Sequence, residues 1–437
     1  MREPGLPRGR GSHPATGWFG NRVDVGGTID PVGDAPVSMP FPADTRLVIS
    51  SVSTSPLPPQ RAPRLDSLTG LRWWAAFGVF AHHMSNLAPL PIAGPLALGN
   101  YGVMFFFVLS GFVLTWSANT SVSAPTFWWR RFARIYPAHF VALLVAIPVF
   151  YSLAPDPADW WVKPVDVGIL VLSVFLLQGW SRDPVVLFSG NPAAWTLTCE
   201  AFFYSLHPAI NRVLRGLTLR RTFAAAGALI AAGFGYRALT VLFPETFGVP
   251  LPFPVARLSE FVLGMCAAHA IRIGWRPRLA PVAIYLLGAV FLAWLVLSPS
   301  RLPGGVVGAG IRASANEWIL LLCLLLIVAV AARDLTRGRS LLRSLPLVKL
   351  GEWSYCFYLV HATAIYLVLA QVGQRAAGWG NLAWYALMLV VSILLAAALH
   401  YGVEKPAERA MRAWWDRRLA RRAARVESSA GAVSPPA

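Results

Sequence analysis

The chain has 437 residues, 56% of them hydrophobic and only 13% charged, where soluble domains run to about a quarter charged. That balance excludes an ordinary soluble domain and points to a polytopic membrane protein, with 18 Trp and 24 Phe to supply interfacial belts and lipid-facing surfaces. The net charge of +18 does not argue for nucleic acid, because the basic residues sit in short clusters between apolar runs, as in cytoplasmic loops. The four cysteines, Cys199, Cys266, Cys323 and Cys356, all fall within apolar segments without CxxC spacing, so neither a disulfide framework nor a metal site is expected.

Residues 1–60 are rich in Pro, Gly, Ser and Asp and lack the apolar core of a signal peptide, so they are expected to form a disordered cytoplasmic extension. A spanning helix needs roughly 20 apolar residues. Candidates lie near 68–88, 99–118, 137–153, 165–179, 194–212, 223–242, 253–271, 279–298, 316–332, 350–370 and 381–402. Arg61, Arg64 and Arg72 place the N-terminus inside, as Arg130, Arg131 and Arg134 do for the loop after the second span. The acidic, aromatic loop "APDPADWWVKPVD" reads as outside. If 165–179 also crossed, the cluster Arg212, Arg215, Arg220 and Arg221 would face outward. Treating 165–179 as re-entrant or interfacial restores a positive interior at every later loop. The expectation is an all-α transmembrane bundle over 64–410 with about ten spans and both termini cytoplasmic, eleven spans being the alternative. A basic, disordered cytoplasmic tail at 416–437 follows, expected to lie against the inner leaflet.

Ionisable groups inside a bilayer are costly and default to a functional reading. The stretch "SLTGLRWWAAFGVFAHHM" carries Arg72 and His83, eleven residues apart. That spacing returns both to nearly one face of a helix and separates them by roughly 16 Å. Arg72 alone reads as a side chain snorkelling to the headgroups; the pair on one face favours function. His82 points about 100° away and is the weaker candidate. Arg131 and Arg134, in "FWWRRFARIYP", are spaced to face one anion, against plain positive-inside topology as the alternative. Glu200, Arg257 and Glu260 all enter from outside, Glu200 at a depth of roughly 9 Å. They are expected in the outer half with His83, although Arg257 and Glu260 also fit a simple salt bridge on one helix. His361 lies near mid-membrane, read equally as a hydrogen-bonded core histidine or as part of the site. Glu404, ending the last span, reads as a structural partner for the cytoplasmic arginines.

The ordered set "RLDSLTGLRWWAAFGVFAHH", "GNYGVMFFFVLSGFVLTWS", "FWWRRFARIYPAHF", "AAWTLTCEAFFYSLHP", "RLSEFVLGMCAAH", "LGEWSYCFYLVHA" and "VEKPAER" resembles the acyltransferase 3 family of polytopic membrane O-acyltransferases, from about Arg64 to Glu408. The opening motif looks most like the actinobacterial branch, where macrolide-sugar acyltransferases occur beside glycan enzymes. The resemblance implies about ten membrane helices in the cell membrane and transfer of an acyl group, acetyl first, from acyl-CoA to a hydroxyl of a sugar, glycan or macrolide-type acceptor. Acyl-CoA is then a co-substrate, and no bound cofactor is implied. Carried over by residue, His83 is the catalytic histidine and Arg72 its motif partner. Arg131 and Arg134 help hold the donor, and Glu200 matches the acidic residue of a Trp-x4-Glu pattern from Trp195. A carboxylate, Glu200 or Glu260, is expected to orient His83, and Arg72 either positions the donor or stabilises the oxyanion. Arg257, Glu260 and His361 are expected to contact substrate. Several relatives carry an extracytoplasmic esterase-like domain after the helices; here transfer is expected to finish within the membrane domain or on a partner. The rival expectation is a transporter or flippase of a glycan or lipid-linked substrate, which also needs a polar path; no internal repeat supports it.

Overall fold

In lipid every backbone N–H and C=O must be bonded within its own segment, so apolar stretches of this length have helix as their one open-chain solution. The computed structural model describes residues 62–301 and 305–431, which belong to one unit, Gln60–Ala437. The expected disordered leader, 1–60, lies outside the described residues. Among the described residues ten long helices precede the tail: α1 (Asp66–Met84), α2 (Gly102–Trp116), α3 (Ala124–Phe150), α4 (Trp195–Arg215), α5 (Leu219–Leu242), α6 (Leu258–Arg272), α7 (Pro281–Arg301), α8 (Ala315–Leu335), α9 (Leu345–Val372) and α10 (Leu382–Leu399). Among the described residues, six helical stretches are long and apolar enough to cross a membrane: Ala93–Trp116, Ala124–Phe150, Leu219–Leu242, Ala315–Leu335, Leu345–Val372 and Trp379–Ser428. The protein is thus an all-α membrane protein, with α1, α4, α6 and α7 as further helices in the same bundle.

Segment 165–179 holds the start of a 3-10 turn, Gln178–Trp180, and the eight-residue helix Val167–Val174, about 12 Å long and too short to cross. It ends where Leu176 takes a positive φ of 57°. A two-residue parallel clip, Tyr151–Ser152 with Lys163–Pro164, is the one sheet among the described residues. The third span begins earlier than its apolar core suggests, at Ala124, because "FWWRRFAR" is helical in spite of its charges. Beyond α10 the chain makes a π turn, His400–Glu404, just before Pro406, whose missing N–H and bulky ring disfavour an unbroken α-helix. It continues as α11 (Lys405–Gly431). The tail expected to be disordered is therefore helical through Gly431, as its run of Ala, Arg, Leu and Glu favours.

Long-range bonds pin one end of the bundle. Asp334 at the end of α8 accepts from the Ser67 backbone N–H at 2.8 Å and its hydroxyl at 2.5 Å, satisfying a first-turn donor of α1. The Trp116 indole donates to the Pro63 carbonyl at 2.9 Å, and Arg272 to the Thr115 carbonyl at 2.6 Å. α1 runs through the middle, packed on α9, with Phe80 and Phe357 wholly buried. α2 and α6 meet backbone to backbone: a Cβ on Gly111 would strike the Phe261 carbonyl, and one on Gly264 the Val108 carbonyl. α5 buries only Thr222 among its residues, as a helix facing lipid does.

Candidate active site

Arg72 sits on the face of α1 turned toward α4 and α9, where it lines a small cavity of about 50 Å³ with Thr196, Glu200, Ser354, Tyr355 and Tyr358. That is room for a few waters, since one needs roughly 10–15 Å³. Glu200 is the acid of this cavity. Its Oε2 accepts from the Tyr204 hydroxyl at 2.9 Å, and the Ser110 hydroxyl lies 3.2 Å from the same tyrosine oxygen. Arg72, Arg131 and Arg134 are all within electrostatic reach of the Glu200 carboxylate.

This corrects the expected depth of Glu200. That depth assumes an outer surface at the start of α4. In the structure the chain before α4 folds back into the bundle: Gln178, Ser189, Asn191 and Ala194 are all fully buried. The Asn191 amide donates to the Leu359 carbonyl at 2.7 Å, two residues before His361. α4 therefore starts at the level of His361, and Glu200 lies a further turn and a half toward the Arg72 end.

The histidines occupy the other half of α1. The His83 ring lies 5.3 Å from His361 and 5.2 Å from His82, and its buried Nδ1 has no hydrogen-bond partner. His361 is fully buried and stacks on Phe357 at 5.7 Å; its Nδ1–H donates to the Phe357 carbonyl at 3.1 Å. With that proton fixed, the neutral ring presents Nε2 as an acceptor, and this Nε2 is buried and unpartnered. Among the described residues no carboxylate is hydrogen-bonded to either ring. The expected orienting acid is absent because Glu200 is held at the Arg72 end and Glu260 is bound to Arg257. The group that lies beside His83 is His361. Tyr358 joins the two halves: it lines the Arg72 cavity, and its ring lies 5.8 Å from His361.

At the basic end, α3 separates the two arginines expected to share an anion. Arg134 is ion-paired to Glu404 and, at 3.3 Å, to Glu408. Arg131 instead lies 5.9 Å over the Phe127 ring, with its buried Nε unpartnered. Being three residues apart does not make the pair equivalent, because the π turn and α11 bring Glu404 and Glu408 to Arg134. Glu404, expected as a structural partner, also accepts at Oε2 from Cys356 Sγ and His400 Nδ1, both at 2.8 Å. Cys356, His400 and Glu404 are metal-ligating types within 4.8 Å of one another, but with Arg134 they already form a closed network of donors on one carboxylate. Sequence reasoning placed Glu404 with the arginines but missed Cys356 and His400 in this network and missed Tyr204 and Tyr358; the i,i+4 spacing of His400–Glu404 and of Glu200–Tyr204 was a usable signal, whereas Tyr358 gave none.

Arg257 and Glu260 do not join His83. They form a 2.6 Å ion pair in the wall of a second cavity, between α5, α6 and α8. Val103 faces the first cavity and Met104 the second, so α2 stands between them.

The acyltransferase MdmB of Streptomyces mycarofaciens is 36% identical over 80% of this chain and 93% of its own length. Nodulation protein 10 of Rhizobium leguminosarum is 26% identical over 77% of the chain and 91% of its own. The peptidoglycan O-acetyltransferase OatA of Listeria monocytogenes is 32% identical over 33% of the chain and 24% of its own. No solved structure matches. The family model described as an acyltransferase domain, acyltransferase 3, matches residues 65–401, a span that holds every residue of the Arg72 cavity as well as His83 and His361. The chain therefore belongs to the acyltransferase 3 family and is a membrane O-acyltransferase.

Proposed function

We propose that this protein is a multi-pass enzyme of the cell membrane, with ten spans and both termini cytoplasmic, that transfers an acyl group, acetyl first, from acyl-CoA to a hydroxyl of a sugar, glycan or glycosylated natural product. The observation that carries the proposal is the line of polar groups along α1: Arg72 and Glu200 on a cavity, then Tyr358, then His361 against His83. The relatives support the reaction class, one being an acyltransferase over nearly its whole length and another a peptidoglycan O-acetyltransferase.

In this proposal the donor's anionic end rests at the basic end on Arg131, whose guanidinium is not committed to a carboxylate. Arg72 and Glu200 guide the pantetheine arm, whose length is similar to the roughly 16 Å from Arg72 to His83. That separation makes Arg72 a positioning group for the donor rather than an oxyanion partner at the thioester. His83, neutral, removes the proton from the acceptor hydroxyl as its oxygen attacks the thioester carbonyl. The C–S bond breaks, the C–O bond forms, and the departing thiolate takes the proton from the His83 imidazolium. His361, fixed by Phe357, offers its Nε2 to hold the His83 ring. Arg134 keeps the basic end folded.

The test is transfer of label from radiolabelled acetyl-CoA to a panel of glycans and macrolides by the purified protein in nanodiscs. Wild type is expected to give labelled ester. His83→Ala is expected to lose activity on the order of 10²–10⁴-fold while keeping its thermal unfolding temperature. Equal product from both proteins overturns the role of His83. CoA binding without product on any acceptor, together with uptake of a glycan into vesicles, would favour a transporter.

A further inference from the structure

The second cavity plays no part in the chemistry above. It holds about 440 Å³ and lies at the end of the bundle away from the basic clusters: Arg237 is in the last turns of α5, Glu260 in the first turn of α6 and Glu317 in the first turn of α8. Two ion pairs stand in its wall, Arg257–Glu260 at 2.6 Å and Arg237–Glu317 at 3.4 Å. A third guanidinium, Arg182, lies 3.9 Å over the Phe253 ring. Both pairs use Oε1 of the carboxylate, which leaves Oε2 of Glu260 and Oε2 of Glu317 buried without any partner. Glu260 is only 3% exposed. An unsatisfied buried acceptor is costly, more so when charged, so two beside one cavity mark a wall that a ligand's donors can complete.

The wall changes character with depth. Ile230 lies seven residues before Arg237 on α5, roughly 10 Å deeper. At that depth the lining is apolar, with Leu229 and Ile230 facing Leu320 and Leu321. The polar half offers guanidinium donors beside carboxylate acceptors. An anionic group entering it meets two carboxylates, and a cationic one meets three arginines. A hydroxyl both donates and accepts, so a neutral polyol matches both sets without placing a charge against its like. A free sugar would leave the apolar half wetted and unfilled. α2 separates this cavity from the Arg72 cavity, so a ligand here is held apart from the thioester.

We propose that the cavity between α5, α6 and α8 is a capture site for an amphiphilic glycoside, with the neutral sugar at the two ion pairs and the apolar body along Leu229, Ile230, Leu320 and Leu321. It rests on the reading of the acceptor as a sugar hydroxyl and assigns that acceptor a first binding site.

The probe is an octyl glucoside bearing a diazirine at the end of its alkyl chain, photolysed with the full chain in nanodiscs; peptides are then mapped. Label is expected on the segments holding Leu229–Ile230 and Leu320–Leu321, competed by unlabelled octyl glucoside and not by octyl sulfate. Leu320→Trp, which fills the cavity, and the double variant Arg237→Gln, Glu317→Gln, which removes an ion pair without leaving a lone charge, are each expected to lower labelling about tenfold, or ~1.4 kcal/mol. In the acyl-transfer assay the same variants are expected to raise KM for a glycoside acceptor by a similar factor. KM for acetyl-CoA and the rate of acetyl-CoA hydrolysis stay within about twofold, a difference worth well under 1 kcal/mol. Label spread evenly over the lipid-facing helices, equal competition by octyl sulfate, or labelling unmoved by Leu320→Trp overturns the site. If labelling follows expectation and no sugar is ever acylated, the site stands and its link to the acceptor falls.

Discussion

Two buried charge clusters face one another across α3 and α9, and they differ in what they leave undone. Around Glu404 the groups are engaged: Arg134, Cys356 and His400 all reach one carboxylate, and Glu408 shares the same Arg134 nitrogen. Around Glu200 the charges border a cavity; among the described residues Glu200 bonds only a tyrosine hydroxyl, and Arg72 and Arg131 have no ion pair. Low dielectric makes both clusters expensive. The first offsets its cost internally and so acts as a joint between α3, α9 and α11. The second is completed only by something that enters, which is the physical difference between a buried charge that holds a fold and one that receives a substrate.

Breaking the closed cluster gives the largest effect. Arg134→Ala strands the buried Glu404 carboxylate and is expected to destabilise the protein by about 3–5 kcal/mol, seen as a lower thermal unfolding temperature in nanodiscs. Loss of activity with unchanged unfolding would move Arg134 into the donor site. Tyr204→Phe removes the hydroxyl bonded to Glu200, a hydrogen bond to a charged group worth about 1.5–3 kcal/mol. In an open site that loss is expected as a roughly ten- to hundredfold fall in kcat/KM for acyl-CoA with unfolding little changed. Arg131→Ala sharpens the contrast with its neighbour three residues on: KM for acyl-CoA is expected to rise about tenfold, or ~1.4 kcal/mol, with stability preserved. If Arg131→Ala instead unfolds the protein as Arg134→Ala does, the two arginines belong to one structural network. The smallest effect is expected for Cys356→Ser, which keeps a donor toward Glu404 and changes stability by less than about 1 kcal/mol.

How far the site was legible follows from what each residue depends on. Arg72 and His83 share a helix, so their common face and separation followed from helical geometry alone. Arg257 and Glu260 were legible as a local pair for the same reason. Glu200 was misplaced because its depth depends on residues 178–194 folding into the bundle, which hydropathy does not record. The roles of Arg131 and Arg134 were merged because only the return of α11 to α3, marked by the Trp415 indole bonded to Thr126 at 3.0 Å, distinguishes them. His361 was named without its partner, since its closeness to His83 is a contact between α1 and α9.

The sequence by itself determined that this is a helical membrane protein of the acyltransferase 3 family. Apolar length, charge spacing and motif order are properties of the chain read along its length. Only the tertiary structure decided which buried charges satisfy each other and which wait for a ligand. Those pairings join residues hundreds of positions apart, such as Arg134 with Glu404, and depend on where helices enter the bundle as much as on which residues they carry.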